Sequence, residues 1–232
     1  MGARIEGIGT ERILVDGVAE LGGAEHTVIA DYLEAGTYAL GVAAAGGELR
    51  LECSTPEDLN LVLLKLEQAG AHVEVGDAWF RVGRRVATRL IPNDMSTWTY
   101  PGFPTDLQAQ YMALMTQADG STVISEYVHE NRFQHVAQLA KMGAEIKVEG
   151  RLHAMVSGPC RLRGTEVAIP DIRSGAALVI AAMCAEGESL LRNSWHVERG
   201  YEDMAGKLAS VGARIETVTV DQESGGSGHT YE

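Results

Sequence analysis

Three aspartates stand at equivalent points of this sequence, and arginines follow two of them at matched distances. Asp31, Asp106 and Asp171 each open a stretch in which apolar residues recur with helical spacing. Arg132 comes 26 residues after Asp106, Arg199 comes 28 after Asp171, and Arg173 lies just beyond Asp171. A carboxylate beside a cleft can take a proton from a hydroxyl. Guanidinium groups hold phosphate or carboxylate through paired hydrogen bonds. Asp106 is the first candidate for a base. Thr105 and Gln108 have the Thr-x-x-Gln spacing of a capping box, so Thr105 is expected to cap the helix. Asp106 then takes the first helical position, free to face a cleft and kept ionised by the helix N-terminus. Each of these residues also has a structural reading. An acid in the first helical turn stabilises the helix without chemistry. The arginines can pair with Glu130, Glu198 or Glu202 at the surface. Asp31, with Glu34 three residues on, fits a plain cap, and for Asp171 a cap competes closely with a site role.

The elements that position these residues repeat. The phrase Gly-Ala-x-(Ile/Val) occurs at Gly2, Gly70, Gly143 and Gly212. The last three follow helical patterns at Leu61–Gln68, Val136–Met142 and Met204–Val211. In each case the glycine stands where a helix C-terminus favours a left-handed residue, and alternating residues then read as a strand. Each aspartate opens an earlier helical stretch, at Asp31–Ala45, Asp106–Ala118 and Asp171–Ala185. Strands are expected after them at Glu48–Cys53, Thr122–Tyr127 and Ser189–Asn193. From aspartate to the next Gly-Ala is 39, 37 and 41 residues. The chain therefore reads as three copies of helix, strand, helix, strand, strand. Residues 1 to about 27 read as the last two strands of an earlier unit, with Arg12–Val15 as the second of them. Residues 221–232 read as a flexible polar tail. The first helix of each copy is unusually apolar, as in Ala176–Ala182 and Tyr38–Ala45, which predicts helices buried on all sides.

Composition excludes several classes. The 232 residues are 45% hydrophobic and 22% charged, with a formal net charge of -13. That field repels nucleic acid and acidic membranes, so neither is an expected partner. No apolar run approaches a membrane span. Cys53, Cys160 and Cys184 show no metal or disulfide spacing and, with no signal peptide at Met1–Glu6, fit a reducing cytoplasm. Cys53 and Cys184 fall in apolar stretches and read as inert thiols. His135 and His196 read as structural.

Four motifs carry a family resemblance. They are Tyr100-Pro101-Gly102-Phe103-Pro104-Thr105-Asp106-Leu107-Gln108-Ala109-Gln110, Glu130-Asn131-Arg132-Phe133-x-His135-Val136, Asp171-Ile172-Arg173-Ser174-Gly175-Ala176 and Arg199-Gly200-Tyr201-Glu202. In this order they resemble the UDP-N-acetylglucosamine 1-carboxyvinyltransferases, and the resemblance extends from near residue 1 to about residue 218. It implies an inside-out α/β barrel of three repeats, with buried helices and outward sheets. Residues 1–27 resemble the tail end of the family's N-terminal domain, and residues 28–220 its C-terminal domain. The implied reaction moves enolpyruvyl from phosphoenolpyruvate to the 3'-hydroxyl of UDP-N-acetylglucosamine and releases phosphate, the first committed step toward peptidoglycan precursors. No cofactor is implied. The resemblance makes Asp106 the proton acceptor and a substrate contact. It adds Val128, through its backbone, and Arg132, Asp171, Arg173 and Arg199 as substrate-binding residues. Where the family often has Arg after the first aspartate, this sequence has Tyr32. The family's nucleophilic cysteine and further phosphoenolpyruvate ligands belong to its N-terminal domain, and none of the three cysteines matches that motif. The implied partner is therefore the missing N-terminal domain, and little turnover is expected without it. Two other readings stand beside this one: a non-catalytic nucleotide-sugar or protein-binding module, and a 5-enolpyruvylshikimate-3-phosphate synthase-like domain. The first two motifs argue against the latter.

Overall fold

The computed structural model describes residues 1–52 and 55–219. Cys53 and the 221–232 tail lie outside the described residues. Contacts divide the chain at Ala30/Asp31. The first unit contains an antiparallel hairpin of β1 (Arg4–Glu6) and β2 (Leu14–Asp16), with Ile5 opposite Val15.

In the second unit, α1 (Tyr32–Ala45) begins at Asp31, whose side chain accepts from the N–H groups of Leu33 and Glu34. The first sheet follows: β3 (Gly47–Glu52), α2 (Asn60–Gln68), β4 (His72–Gly76) and β5 (Trp79–Arg84). Its order is β3–β5–β4, antiparallel throughout. The second stretch comprises β6 (Met95–Ser96), a 3-10 turn at Thr105–Leu107, α3 (Gln108–Met115), β7 (Gly120–Ser125), α4 (Val136–Lys141), β8 (Glu145–Glu149) and β9 (His153–Gly158). Its sheet runs β6–β7–β9–β8. The third comprises β10 (Glu166–Ala168), α5 (Ile172–Cys184), β11 (Leu190–Arg192), α6 (Trp195–Glu198) and α7 (Met204–Ser210). Here β10 and β11 pair in parallel. The architecture is α/β.

Helices α1, α3 and α5 pack on one another. All eight residues of α3 are buried, as is the run Ser174–Ala181 of α5. Small residues allow that closeness. A Cβ on Gly36 of α1 would lie 2.4 Å from Leu107 Cδ1, so α1 presses on the turn that carries Asp106. Inward strand residues such as Phe80, Val82 and Val156 complete the core, each fully buried. The Gly-Ala glycines do what their position predicts. Gly70, Gly143 and Gly212 have φ of 93°, 100° and 101°, just past α2, α4 and α7. Among the described residues no helix is long and apolar enough to cross a membrane.

Three expectations are corrected. The helix expected over Asp106–Ala118 is a 3-10 turn followed by an α3 that stops at Met115. The Thr116 hydroxyl donates to Ala113 O at 2.7 Å, a local bond that competes with another helical turn. The capping box also fails. Thr105 makes no cap bond, and the Gln108 side chain is buried without a hydrogen-bond partner among the described residues. The Thr105 hydroxyl is drawn instead to Glu126 and Arg132, as described below. Last, Gly212–Ile215 does not open a strand: residues 213–219 carry no strand assignment. β4 and β8 each pair with the strand that follows, β5 and β9. No such strand follows residue 212 among the described residues, and an unpaired strand leaves its backbone groups unsatisfied by the chain.

Candidate functional site

The Asp106 carboxylate sits between two arginines. Its Oδ1 accepts from Arg132 Nη2 at 3.3 Å and from Arg173 Nη1 at 3.2 Å. It accepts from no backbone N–H among the described residues, so it is not a cap. Arg132 is 9% exposed, Asp106 31% and Arg173 32%, so Arg132 is the buried member of the cluster. Burial first, then the adjacent Arg173 guanidinium, lower the Arg132 pKa, while Asp106, Glu126 and Asp171 pull it upward. Tyr32 lies within the same field: burial first, then the charges of Asp106, Asp31 and Asp58, raise its pKa.

Asp171 does two jobs. It caps α5, accepting from the N–H groups of Arg173 at 2.9 Å and Ser174 at 3.2 Å. It also meets Arg173 Nε at 3.4 Å. Burial by itself would raise its pKa. The bonds from Ser174 and from the Arg173 N–H, with the Arg173 charge, outweigh burial and bring it below the ordinary value. Position two of α5 thus carries Arg173 toward Asp106 while Asp171 fixes the helix start. A cavity of about 90 Å³ opens beside the cluster, lined among others by Thr105, His129, Arg132, His135, Asp171 and Arg173. Arg132 Nη1 and His135 Nδ1 are buried with no partner among the described residues. A guanidinium with a spare N–H next to a cavity suits an anion.

The structure gathers Asp106, Arg132, Asp171 and Arg173. Val128 lies nearby through Glu126: the Val128 N–H donates to Glu126 Oε1 at 2.9 Å. Arg199 is not gathered. It is exposed at the C-cap of α6 and takes no part in the hydrogen bonds around Asp106. Its spacing from Asp171 imitates that of Arg132 from Asp106, but the intervening segment folds as α6, whose last turn leaves the side chain in solvent. The surface pairing of Arg132 with Glu130 does not form either, because the side chain turns inward to Asp106. His135 is buried, its Nε2 3.1 Å from Met112 Sδ, and His196 stacks on Trp195 at 3.6 Å between ring centroids. Cys160 is buried and donates to Ser157 O. Burial pushes the Cys184 thiol up to about 12, the inert state expected of it. A larger cavity of about 460 Å³, lined by residues such as Arg84, Thr88, Gln117 and Cys184, holds none of the candidate site residues.

Two groups escaped the sequence reading. Glu126 is fully buried and accepts from Thr97 Oγ1, the Val128 and His129 N–H groups, and Thr105 Oγ1. The signal available was a carboxylate at an inward position of the strand pattern, in step with Thr122 and Ile124. Tyr201, in the fourth motif, is buried with its hydroxyl 2.8 Å from Thr37 Oγ1 and within 3.4 Å of Gln110 Nε2. That small polar knot joins α1, α3 and the segment after α6.

Comparison with known proteins bears on the family and the fold. A family model described as EPSP synthase (3-phosphoshikimate 1-carboxyvinyltransferase) matches residues 1–208. A UDP-N-acetylglucosamine 1-carboxyvinyltransferase from Solibacter usitatus is 48% identical over 219 residues, which is 94% of this chain and 52% of the relative. Another from Rhodopseudomonas palustris (strain TIE-1) is also 48% identical, over 94% of this chain and 51% of its own. The chain thus spans about half the length of these curated relatives. Among solved structures, the enolpyruvyl transferase NikO from Streptomyces tendae matches with a TM-score of 0.78 and 29% identity, covering 93% of this chain and 51% of that one. EPSP synthase from Acinetobacter baumannii matches with a TM-score of 0.57 and 17% identity over 76% of this chain and 44% of its own, a likeness of fold alone. The resemblance to UDP-N-acetylglucosamine 1-carboxyvinyltransferases read from four motifs therefore holds along nearly the whole chain, and the chain belongs to the EPSP synthase family.

Proposed function

We propose that this chain supplies the C-terminal half of a UDP-N-acetylglucosamine enolpyruvyl transferase. In this reading the 3'-hydroxyl of UDP-N-acetylglucosamine is the nucleophile, phosphoenolpyruvate the enolpyruvyl donor and phosphate the leaving group. Asp106 accepts the hydroxyl proton. The observation that carries the reading is the placement of Asp106, which caps nothing and lies in reach of two guanidiniums beside a cavity. Those cations hold the carboxylate in place and attract the anionic second substrate. Asp171 and Arg173 close the same end, Val128 offers its backbone to the sugar nucleotide, and Arg199 reaches substrate only when the site is completed. The finer architecture belongs to the proposal too: an inside-out barrel over residues 28–220, with residues 1–27 as the end of an N-terminal domain. That domain brings the nucleophilic cysteine and the remaining phosphoenolpyruvate ligands, and a cytoplasmic site of action follows from the substrates. Mixing the chain with a separately produced N-terminal half of a relative tests the proposal. Phosphate release from phosphoenolpyruvate that depends on UDP-N-acetylglucosamine, and is lost in Asp106→Asn, is the expected result. A stable two-piece complex that releases no phosphate would overturn it.

A further inference from the structure

Glu126 follows β7 and is 0% exposed. Four donors reach its two oxygens. Thr97 Oγ1 at 2.8 Å and the N–H groups of Val128 and His129, both at 2.9 Å, bond to Oε1. Thr105 Oγ1 bonds to Oε2 at 2.9 Å. Four donors meeting one side chain is a pattern a carboxylate satisfies, whereas glutamine would bring two donors of its own. The direction of the bonds matters. Thr105 spends its proton on Glu126, so its lone pairs are free for Arg132 Nε–H at 3.0 Å. Arg132 then places Nη2 at 3.3 Å from Asp106 Oδ1. Thr97 relays in the same sense, accepting from the Tyr127 N–H at 3.0 Å while it donates to Glu126. One buried carboxylate thus fixes both the turn that carries Val128 and the arginine that faces Asp106.

We propose that Glu126 is a positioning residue for the Asp106 centre, acting through the Thr105 hydroxyl to hold Arg132 and through the backbone to hold the Val128 turn. Its consequence for turnover rests on the proposed transferase reading, whereas its geometry can be tested in this chain alone. The readout is solvent exchange of the Arg132 Nε–H by nitrogen-15 NMR, with the resonance identified by its loss in Arg132→Lys. In Glu126→Gln the amide competes for Thr105 and the charge is gone. Arg132 Nε–H exchange should then rise about tenfold, the scale of one charge-assisted hydrogen bond. Backbone amides of β7 and β9 should keep their protection. Thr105→Val should reproduce the effect, and Thr105→Ser, which keeps the hydroxyl, should restore the parent rate. A merely structural Glu126 would change backbone and arginine exchange together, or neither. The proposal falls if Glu126→Gln keeps its backbone protection and Arg132 exchanges at the parent rate. If Glu126→Gln does not fold, a folded Thr105→Val with parent exchange overturns it equally. Failure of the two-piece mixture to release phosphate would sink the transferase reading and leave this result standing.

Discussion

Replacing Asp106 with Asn should destabilise the chain at neutral pH, and the structure sets the size. Asp106 Oδ1 lies 3.3 Å from Arg132 Nη2 and 3.2 Å from Arg173 Nη1. At an effective dielectric near 20, each contact has a gross attraction of roughly 5 kcal/mol, most of which desolvation offsets. Exposed ion pairs are worth about 0.2–1 kcal/mol, and breaking a buried one costs about 3–5. With Arg132 at 9% exposure and Asp106 and Arg173 near one third, the cluster lies between those limits. Asn keeps the shape and one acceptor oxygen but leaves two guanidiniums facing each other. A loss of about 2 kcal/mol follows, or a Tm lower by about 4–8 °C for a domain of this size. Thermal unfolding followed by circular dichroism at low salt measures it. A double-mutant cycle with Arg132→Met isolates the pair and should show a coupling of about 1–2 kcal/mol. The sign is the sharper test. A carboxylate held at a net cost to the fold would yield a more stable Asn variant. A Tm equal to or above the parent, or zero coupling, refutes the view that the arginines stabilise Asp106 in place.

Burial pushes His135 down to about 4 from an ordinary value near 6.5. The unfolded chain then binds this proton more tightly. The stability it permits is full above pH 6.5 and falls by about 3 kcal/mol as the pH drops through 4. Urea midpoints measured from pH 7.5 to 4 should trace that loss, and His135→Leu should flatten it; an unchanged slope in the variant would show that other groups govern the acid limb. Tyr201→Phe removes the hydroxyl shared by Thr37 and Gln110 in the fully buried knot and should cost about 1–2 kcal/mol in urea unfolding. A second change, Thr37→Val, should then add little, and full additivity of the two would show that the groups do not act together.

What could be read from the sequence divides along a physical line. The buried helices α1 and α5 were legible because an apolar run without a polar face has only one place to go. The Gly-Ala glycines were legible because a left-handed residue after a helix is a local demand. Strand Gly212–Ile215 looked the same locally and did not form, because a strand needs a partner that no local pattern guarantees. Thr105 and Gln108 had the right spacing for a box, yet Arg132 and Glu126, 27 and 21 residues away, took the hydroxyl instead. The repeat itself misled in one respect and informed in another. It made Asp31, Asp106 and Asp171 equivalent, and two of the three do act alike, each accepting from backbone N–H groups of the helix it opens. Asp106 breaks the pattern. Its turn is 3-10, its N-cap is Pro104, and its oxygen goes to two arginines. A carboxylate engaged by its own helix has lone pairs committed to that helix's N–H groups. One released from that duty can meet a hydroxyl. The departure from the repeat therefore supports the proposal that Asp106, and not its two counterparts, is the base. It also predicts that Asp31→Asn, since Asn caps nearly as well as Asp, will disturb stability less than Asp106→Asn does.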